Sequence, residues 1–326
     1  YDKLDPSIGG ADLILDLQTI RCRYPFLNPA TRAALLPRRC GWLAAQQLGM
    51  WMLEQARDAG VELVPGRLTA VTVESGRVAG VELVGPTGAV ERIATGTLVN
   101  AAGPLAPEVG RLAGLELPLF NELHGKVYLE DTEQVVPREL PLMIWCDPVA
   151  LDWGEEEQAE LAGDAELAYL TRPLPGGVHF RPEGGRDSRM LLLLFTYHLD
   201  ALTPVWPAKF DPWYPEVALR AAARMVPGFA TYLGGRMRRS FVDGGYYCKT
   251  SENRLLVGPT PVEGYQLLCG LSGYGIMAAA AAAELLGAGL TGGALPDYAA
   301  EFRLDRYDDP AYQARLARGE FSSGQL

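Results

Sequence analysis

Between residues 44 and 59 the chain reads AAQQLGMWMLEQARDA, and Leu48, Trp51, Met52 and Ala56 recur on one face of a 3.6-residue period. That spacing predicts an amphipathic helix stopped by Gly60. Residues 61–64, VELV, then read as a short strand. From 67 to 94, RLTAVTVESGRVAGVELVGPTGAVERIA, apolar stretches alternate with turn signals at Ser75-Gly76 and at GPTG 85–88. The pattern predicts a three-stranded antiparallel meander. TLVNA (97–101) reads as a buried strand that runs through AGP into a short helix ending near Gly114.

After Pro118 the pattern changes. Residues 119–242 hold strand candidates KVYLE, LMIWC and MLLLLFTYHL, the charged insert WGEEEQAELAGDAE, and one helix, PEVALRAAARMV at 215–226. Pro215 suits the first turn of that helix, and Pro227 ends it. From Asp243 tight glycine turns return, with strands LLVG and YQLLCG and an alanine-rich helix. The closing FSSGQL is expected to be mobile. No internal repeat is visible.

Two glycine strings compete for attention. GAGLTG at 287–292 satisfies G-x-G-x-x-G, but pyrophosphate-binding glycines lie between a strand and a helix start, where amides face the phosphates. Here the helical run AAAAAAELL comes first. Gly287 therefore falls at a left-handed C-cap, and the carbonyl end of a helix repels phosphate. YQLLCGLSGYGIMAA (265–279) has the productive order: strand, glycine turn, helix. Its helix-start amides could face a flat ligand, although ordinary packing at a strand–helix corner explains the segment equally well.

With 326 residues the chain can bury a sizeable core and hold more than one domain. Its net charge of −11, from 29 basic and 40 acidic side chains, disfavours nucleic acids and anionic membranes as partners. No membrane span is expected, because the longest apolar run, 275–290, is alanine-rich and contains Glu284. Cys22, Cys40, Cys146, Cys248 and Cys269 form no C-x-x-C pair, which suggests a reducing, cytoplasmic setting. His124, His179 and His198 show no ligand spacing, so no metal is expected. No leader segment is visible, and the sequence opens on Tyr1 rather than Met.

Three segments in order, GVELVPGRLTAVTVESGRVAGVEL (60–83), TLVNAAGP (97–104) and DGGYYCKTSENRLLVGP…YQLLCGLSGYGIMAAAAAAELL (243–286), resemble the FAD-dependent oxidoreductases of the D-amino-acid oxidase superfamily, which includes glycine and sarcosine oxidases. The resemblance covers roughly residues 40–117 and 240–310. It implies an α/β (α+β) fold: an incomplete FAD-binding Rossmann-like domain with a three-stranded β-meander, plus an inserted mixed or antiparallel-sheet substrate domain. The FAD-binding domain would comprise 40–117 and 243–310, the substrate domain 1–39 and 118–242, and the tail 311–326. The family's own G-x-G-x-x-G belongs to a first βαβ unit, and SIGGAD, with no strand before it, does not fit that role. The expectation is a fragment of a longer chain, in which tight FAD binding is not expected of this piece alone.

Site residues follow from the same resemblance. Leu68 would offer its backbone to the adenine, and Ala101, Ala102, Gly103 and Pro104 would pass close to the ribityl or pyrophosphate. Gly270, Ser272, Gly273, Tyr274, Gly275 and Ile276 would form the turn facing the flavin, with helix-start amides toward its N1–C2=O edge. Gly245, Tyr246 and Tyr247 lie on the GGYYCKT ribbon, which would run past the reacting face. Tyr247 stands where many relatives carry a carboxylate-binding arginine; a tyrosine can only donate a hydrogen bond. Lys249, Arg181 and Arg254 are the remaining candidates for a substrate carboxylate. His124 could line the pocket, though a structural histidine is the blander reading, and the same holds for Tyr197 and His198. Met277 stands where some related oxidases carry a lysine, which favours a dehydrogenase. Cys248 suggests covalent flavin attachment, against the commoner role of a small buried hydrophobe.

These readings together imply FAD-dependent oxidation of a C–N bond in an amine or amino acid, with the electron acceptor unknown. The alternatives are a 2-hydroxy-acid dehydrogenase and a non-catalytic subunit whose pocket is plugged by Tyr246, Tyr247 or Trp145.

Overall fold

The computed structural model describes residues 8–237 and 240–321. Its first elements are strand β1 (Ala11–Ile14), helix α1 (Leu17–Arg23), strand β2 (Ala34–Pro37) and helix α2 (Ala45–Asp58). The meander forms as read, from β3 (Arg67–Glu74), β4 (Arg77–Val84) and β5 (Val90–Ala94), followed by β6 (Leu98–Asn100) and α3 (Ala106–Arg111). Next come β7 (Phe120–Glu130), β8 (Met143–Trp145), α4 (Glu155–Gly163), β9 (Val178–Pro182), β10 (Met190–Leu194) and α5 (Tyr214–Met225). The chain closes with β11 (Phe241–Lys249), β12 (Leu256–Pro259), β13 (Tyr265–Cys269), α6 (Gly275–Thr291) and α7 (Pro310–Ala317).

The five-stranded sheet has the order β11-β7-β10-β9-β8, with every pairing antiparallel. Strict alternation gives it two unlike faces. Val127, Leu129, Leu191, Leu193, Phe180 and Val178, at most 1% exposed, pack inward with α5. Each such side chain contributes roughly 1.5–3 kcal/mol of burial free energy. Gly125 admits the helix: a Cβ there would stand 2.5 Å from the Tyr214 ring. The opposite face carries Glu122, His124, Lys126, Tyr247 and Lys249. A second core joins the meander to the sheet of order β12-β13-β6, through Val71, Val78, Leu256, Tyr265 and Leu267.

Several expectations need correction. Residues 61–64 form no strand, because no neighbouring strand offers them a ladder, and Val61 and Leu63 stay exposed. Helix α2 forms but buries nothing, and Trp51 and Met52 of its apolar face are exposed. Strand β6 is an edge rather than a buried strand, with Leu98 and Val99 half-buried. Gly9 and Gly10 lead into β1, and residues 1–7, where no strand was expected, lie outside the described residues. Helix α6 continues past Gly287 and Gly289 and is capped by Gly292 at φ 70, since each helical glycine costs only about 1 kcal/mol. GAGLTG is still a helix end, five residues later than read.

The region from Ser272 to Thr291 is long and apolar enough to cross a bilayer by length and composition. Its Ala282 and Leu286 pack against Leu255 and Val257, while most of the remaining helix surface is not buried. The tail begins with structure. Tyr312 of α7 is buried and donates to Glu252 Oε1 at 3.0 Å, and Arg306 and Tyr307 donate to the same oxygen at 2.6 Å each. Phe321 lies under Arg254, and the rest of FSSGQL is outside the described residues.

Candidate functional site

Strands β6 and β13 are parallel neighbours, paired from Tyr265↔Leu98 to Leu267↔Asn100. Their carboxyl ends therefore open side by side, and such a crevice is where open α/β sheets bind ligands. Beyond β6, buried Asn100 holds the turn: its amide donates to Ala106 O (2.9 Å) and Tyr265 Oη (3.0 Å), and its oxygen accepts from Ala102 N (3.3 Å). Gly103 turns the backbone left-handed at φ 54. Beyond β13, Gly270 and Ser272 do the same at φ 69 and 52. For serine that conformation is strained, a feature that concentrates at functional loops. Helix α6 then starts with no side-chain cap on its first amides, leaving donors and positive dipole toward the crevice.

Strand β11 packs against both turns. Asn121, the register partner of Cys248, donates to Pro104 O at 3.0 Å, tying the polar-faced sheet to the first turn. The Cys248 thiol lies against the Gly270 amide, and burial pushes its pKa up to about 11. Tyr274 donates to Asn253 O at 2.5 Å and fixes the helix mouth beside the end of the ribbon.

On the polar face one carboxylate organises the rest. Glu122 Oε2 lies 2.8 Å from Lys249 Nζ and 3.3 Å from His124 Nε2. A carboxylate only accepts, so Nε2 carries the proton, and Nδ1 accepts from Thr196 Oγ1 at 2.9 Å. Burial pushes the His124 pKa down to about 4, outweighing Glu122, so the ring is neutral. Its face stacks on Tyr247, with ring centroids 3.7 Å apart. Burial also raises the Tyr247 hydroxyl, which has no partner among the described residues. Lys126 pairs with Asp243 at 3.1 Å. Arg181 pairs with Glu183 at 2.7 Å and lies over Trp42.

The structure thus brings His124, Tyr247 and Lys249 together, and sets Ala101, Ala102, Gly103, Pro104, Gly270, Ser272, Gly273, Tyr274 and Gly275 around the neighbouring crevice. Gly245 pairs with His124, and a Cβ on it would meet nothing within 4 Å. Ile276 and Met277 are exposed at the helix start. Leu68 is on β3 beside a bulge and packs in the second core, which also holds Leu98 of β6 and Tyr265 and Leu267 of β13. Tyr246 does not face this site. Alternation turns it to the other side of β11, where its hydroxyl bonds Val205 N and O at 3.1 and 3.0 Å. Trp145 likewise packs on the inner core, so neither plugs the polar face.

Lys249 and His124 are not free groups: the ammonium belongs to Glu122, and both histidine nitrogens are occupied. Arg254 is held by Glu301 at 2.5 Å. Tyr197 and His198 form a separate cluster with Tyr169 around Asp211. Glu122 and Thr196 were missed in the sequence. An acid among apolar residues in FNELHGKV was the available signal for Glu122, and nothing local marks Thr196.

Left-handed turns, uncapped helix amides and open space at Gly103 and Gly245 fit the approach of a flat, anionic cofactor to this crevice. The comparisons agree. A family profile described as FAD dependent oxidoreductase (DAO) matches residues 4–288, and the chain belongs to that family. The family is FAD-dependent. The match also spans the region after Pro118 that showed no legible family signal in the sequence.

Among solved structures, L-proline dehydrogenase from P. horikoshii is similar at TM-score 0.66 and 16% identity, over 91% of this chain and 69% of the other. Iminodiacetate oxidase from Chelativorans sp. BNC1 gives 0.63 and 16%, over 93% and 69%. Glycine oxidase from Bacillus cereus ATCC 14579 gives 0.60 and 12%, over 91% and 68%. At these identities they establish the shared fold. No curated protein sequence is significantly similar to the chain.

Proposed function

We propose that this oxidoreductase removes hydride from the carbon next to nitrogen in a small amine or amino acid. The observation that carries the reading is that strands β11 and β7, which hold Tyr247, His124, Glu122 and Lys249, are tied through Asn121 and Cys248 to the two turns that end β6 and β13. FAD, when bound, supplies the two-electron acceptor for that hydride. The protein residues have positioning work to do. Tyr247 offers its unpartnered hydroxyl to one polar group of the substrate. The neutral His124 ring, locked by Glu122 and Thr196, sets the plane of the Tyr247 ring. Rate then depends on holding the substrate C–H in line, without an acid–base pair.

Among the described residues every cation on this face already has an acid: Lys249 with Glu122, Lys126 with Asp243, Arg181 with Glu183. That charge balance supports an amine as the recognised feature and gives a substrate carboxylate little purchase. The neighbours named for proline, glycine and iminodiacetate support the nitrogen-containing class. Five free cysteines support a reducing, cytoplasmic location.

The test is reconstitution with FAD, followed by anaerobic substrate addition with the flavin absorbance as readout. Secondary amines and amino acids are expected to bleach it, and 2-hydroxy acids are not. Bleaching by hydroxy acids alone would overturn the substrate class. A protein that takes up no flavin would overturn the reading altogether.

A further inference from the structure

At the other end of β7, roughly 25 Å from Glu122 by strand rise, a cleft of about 770 Å³ opens between the segment after α1, the β7–β8 connection and the β9–β10 loop. Four arginines line it, Arg23, Arg138, Arg186 and Arg189, in a chain whose net charge is −11. Two acids line it as well, Asp131 and the exposed Asp187, so the arginines outnumber the acids two to one. Asp131 is buried and occupied, accepting from Val135 N at 2.9 Å, Val136 N at 3.3 Å and Tyr232 Oη. Arg138 donates to Met190 O at 2.7 Å and Glu183 O at 2.9 Å, both carbonyls, and no carboxylate among the described residues pairs with it. The Arg186–Glu139 pair is 3.6 Å apart and almost fully solvated, which makes it a weak tie.

The basic cleft shares a wall with an apolar one. Pro25, Phe26 and Val135 line both, and the second, about 310 Å³, continues over Val226 and Pro227. A cationic mouth beside an aromatic–aliphatic wall suits a ligand with two unlike ends. Guanidinium forks match planar or tetrahedral oxyanions better than ammonium groups do. We propose that this composite cleft binds an organic oxyanion, with a phosphate or carboxylate among Arg138, Arg186 and Arg189 and a flat apolar body against Phe26 and Val135. The site is separate from the flavin crevice, so it stands or falls independently of the reaction proposed above.

Cys22 supplies a built-in reporter: it lines the cleft and is exposed, whereas the exposed Cys40 and Cys146 do not line it. The intact protein is titrated with phenyl phosphate, benzoate, inorganic phosphate or benzyl alcohol. Binding is read by calorimetry and by peptide-resolved alkylation of the three cysteines. Phenyl phosphate, benzoate or both should shield Cys22 alone, and whichever binds identifies the oxyanion. Inorganic phosphate should bind about tenfold more weakly or less, and benzyl alcohol should give no shielding. The double variant Arg186→Glu with Arg189→Glu, both exposed and outside the core, should lose at least about tenfold in affinity. The proposal is overturned if neither aromatic anion shields Cys22, if all three cysteines are shielded alike, if benzyl alcohol does as well, or if the double variant binds normally.

Discussion

Lys249 Nζ lies 2.8 Å from Glu122 Oε2, with side chains only 12% and 7% exposed. The two are on adjacent strands of one sheet face, where water cannot replace a lost partner. Deleting one member of such a pair leaves an uncompensated buried charge, at a cost of about 3–5 kcal/mol. Glu122→Gln is therefore expected to destabilise the fold by roughly that amount in denaturant unfolding. The double variant Glu122→Gln with Lys249→Met should recover most of the loss, because it removes the orphaned charge. If the double variant is as unstable as the single one, the pair is not what Glu122 stabilises.

His124 ties the same network to pH. Its pKa falls from 6.5 to about 4 because burial penalises the charged ring. Above 6.5 the ring is neutral in both folded and unfolded chains and adds no pH dependence. Below it the unfolded chain takes up a proton that the folded chain refuses until about 4. Stability should thus drop across this window by up to on the order of 3 kcal/mol. His124→Gln should remove that component, seen as a flatter unfolding free energy between those two pH values than in the parent. Equal slopes would show that the ring is not held neutral.

The elements legible in the sequence were those whose signal is local. The meander announced itself through Ser75-Gly76 and GPTG, α5 through its prolines, and the crevice turn through the order strand–glycine–helix in YQLLCGLSGYG. What sequence could not give was a consequence of pairing. VELV has strand composition but no partner, so it stays irregular. Strands β1, β2 and β9 went unread because they are short and gain their structure from neighbours. Tyr246 and Tyr247 look alike in GGYYCKT, and only the phase of β11 against β7 decides which one meets His124. Glu122, the organiser of the face, is chosen by its contacts with Lys249 and His124, which lie 127 and 2 residues away along the chain.

Tyr247→Phe isolates the hydroxyl. Since that group has no partner among the described residues, its loss should change folding stability by no more than about 0.5 kcal/mol. The ring and its stacking on His124 remain. If the hydroxyl bonds substrate, kcat/KM of the FAD-loaded enzyme should fall by about three- to tenfold, the value of one neutral hydrogen bond. Unchanged kinetics would place the substrate elsewhere on the sheet.

Gly245 tests the location of the ligand space by filling it. The residue pairs with His124 on the edge strand β11, and an added Cβ meets no atom within 4 Å. No positive φ is recorded for it, so a side chain imposes no backbone strain there. Gly245→Val should leave the unfolding midpoint unchanged or raise it, because valine favours extended backbone. The same branched side chain would project from the face beside His124, toward the space assigned to substrate and flavin. Flavin uptake or substrate affinity is then expected to weaken by about tenfold or more, with Gly245→Ala intermediate. A valine variant that folds, takes up flavin and turns over like the parent would mean that the open ground beside His124 is plain solvent.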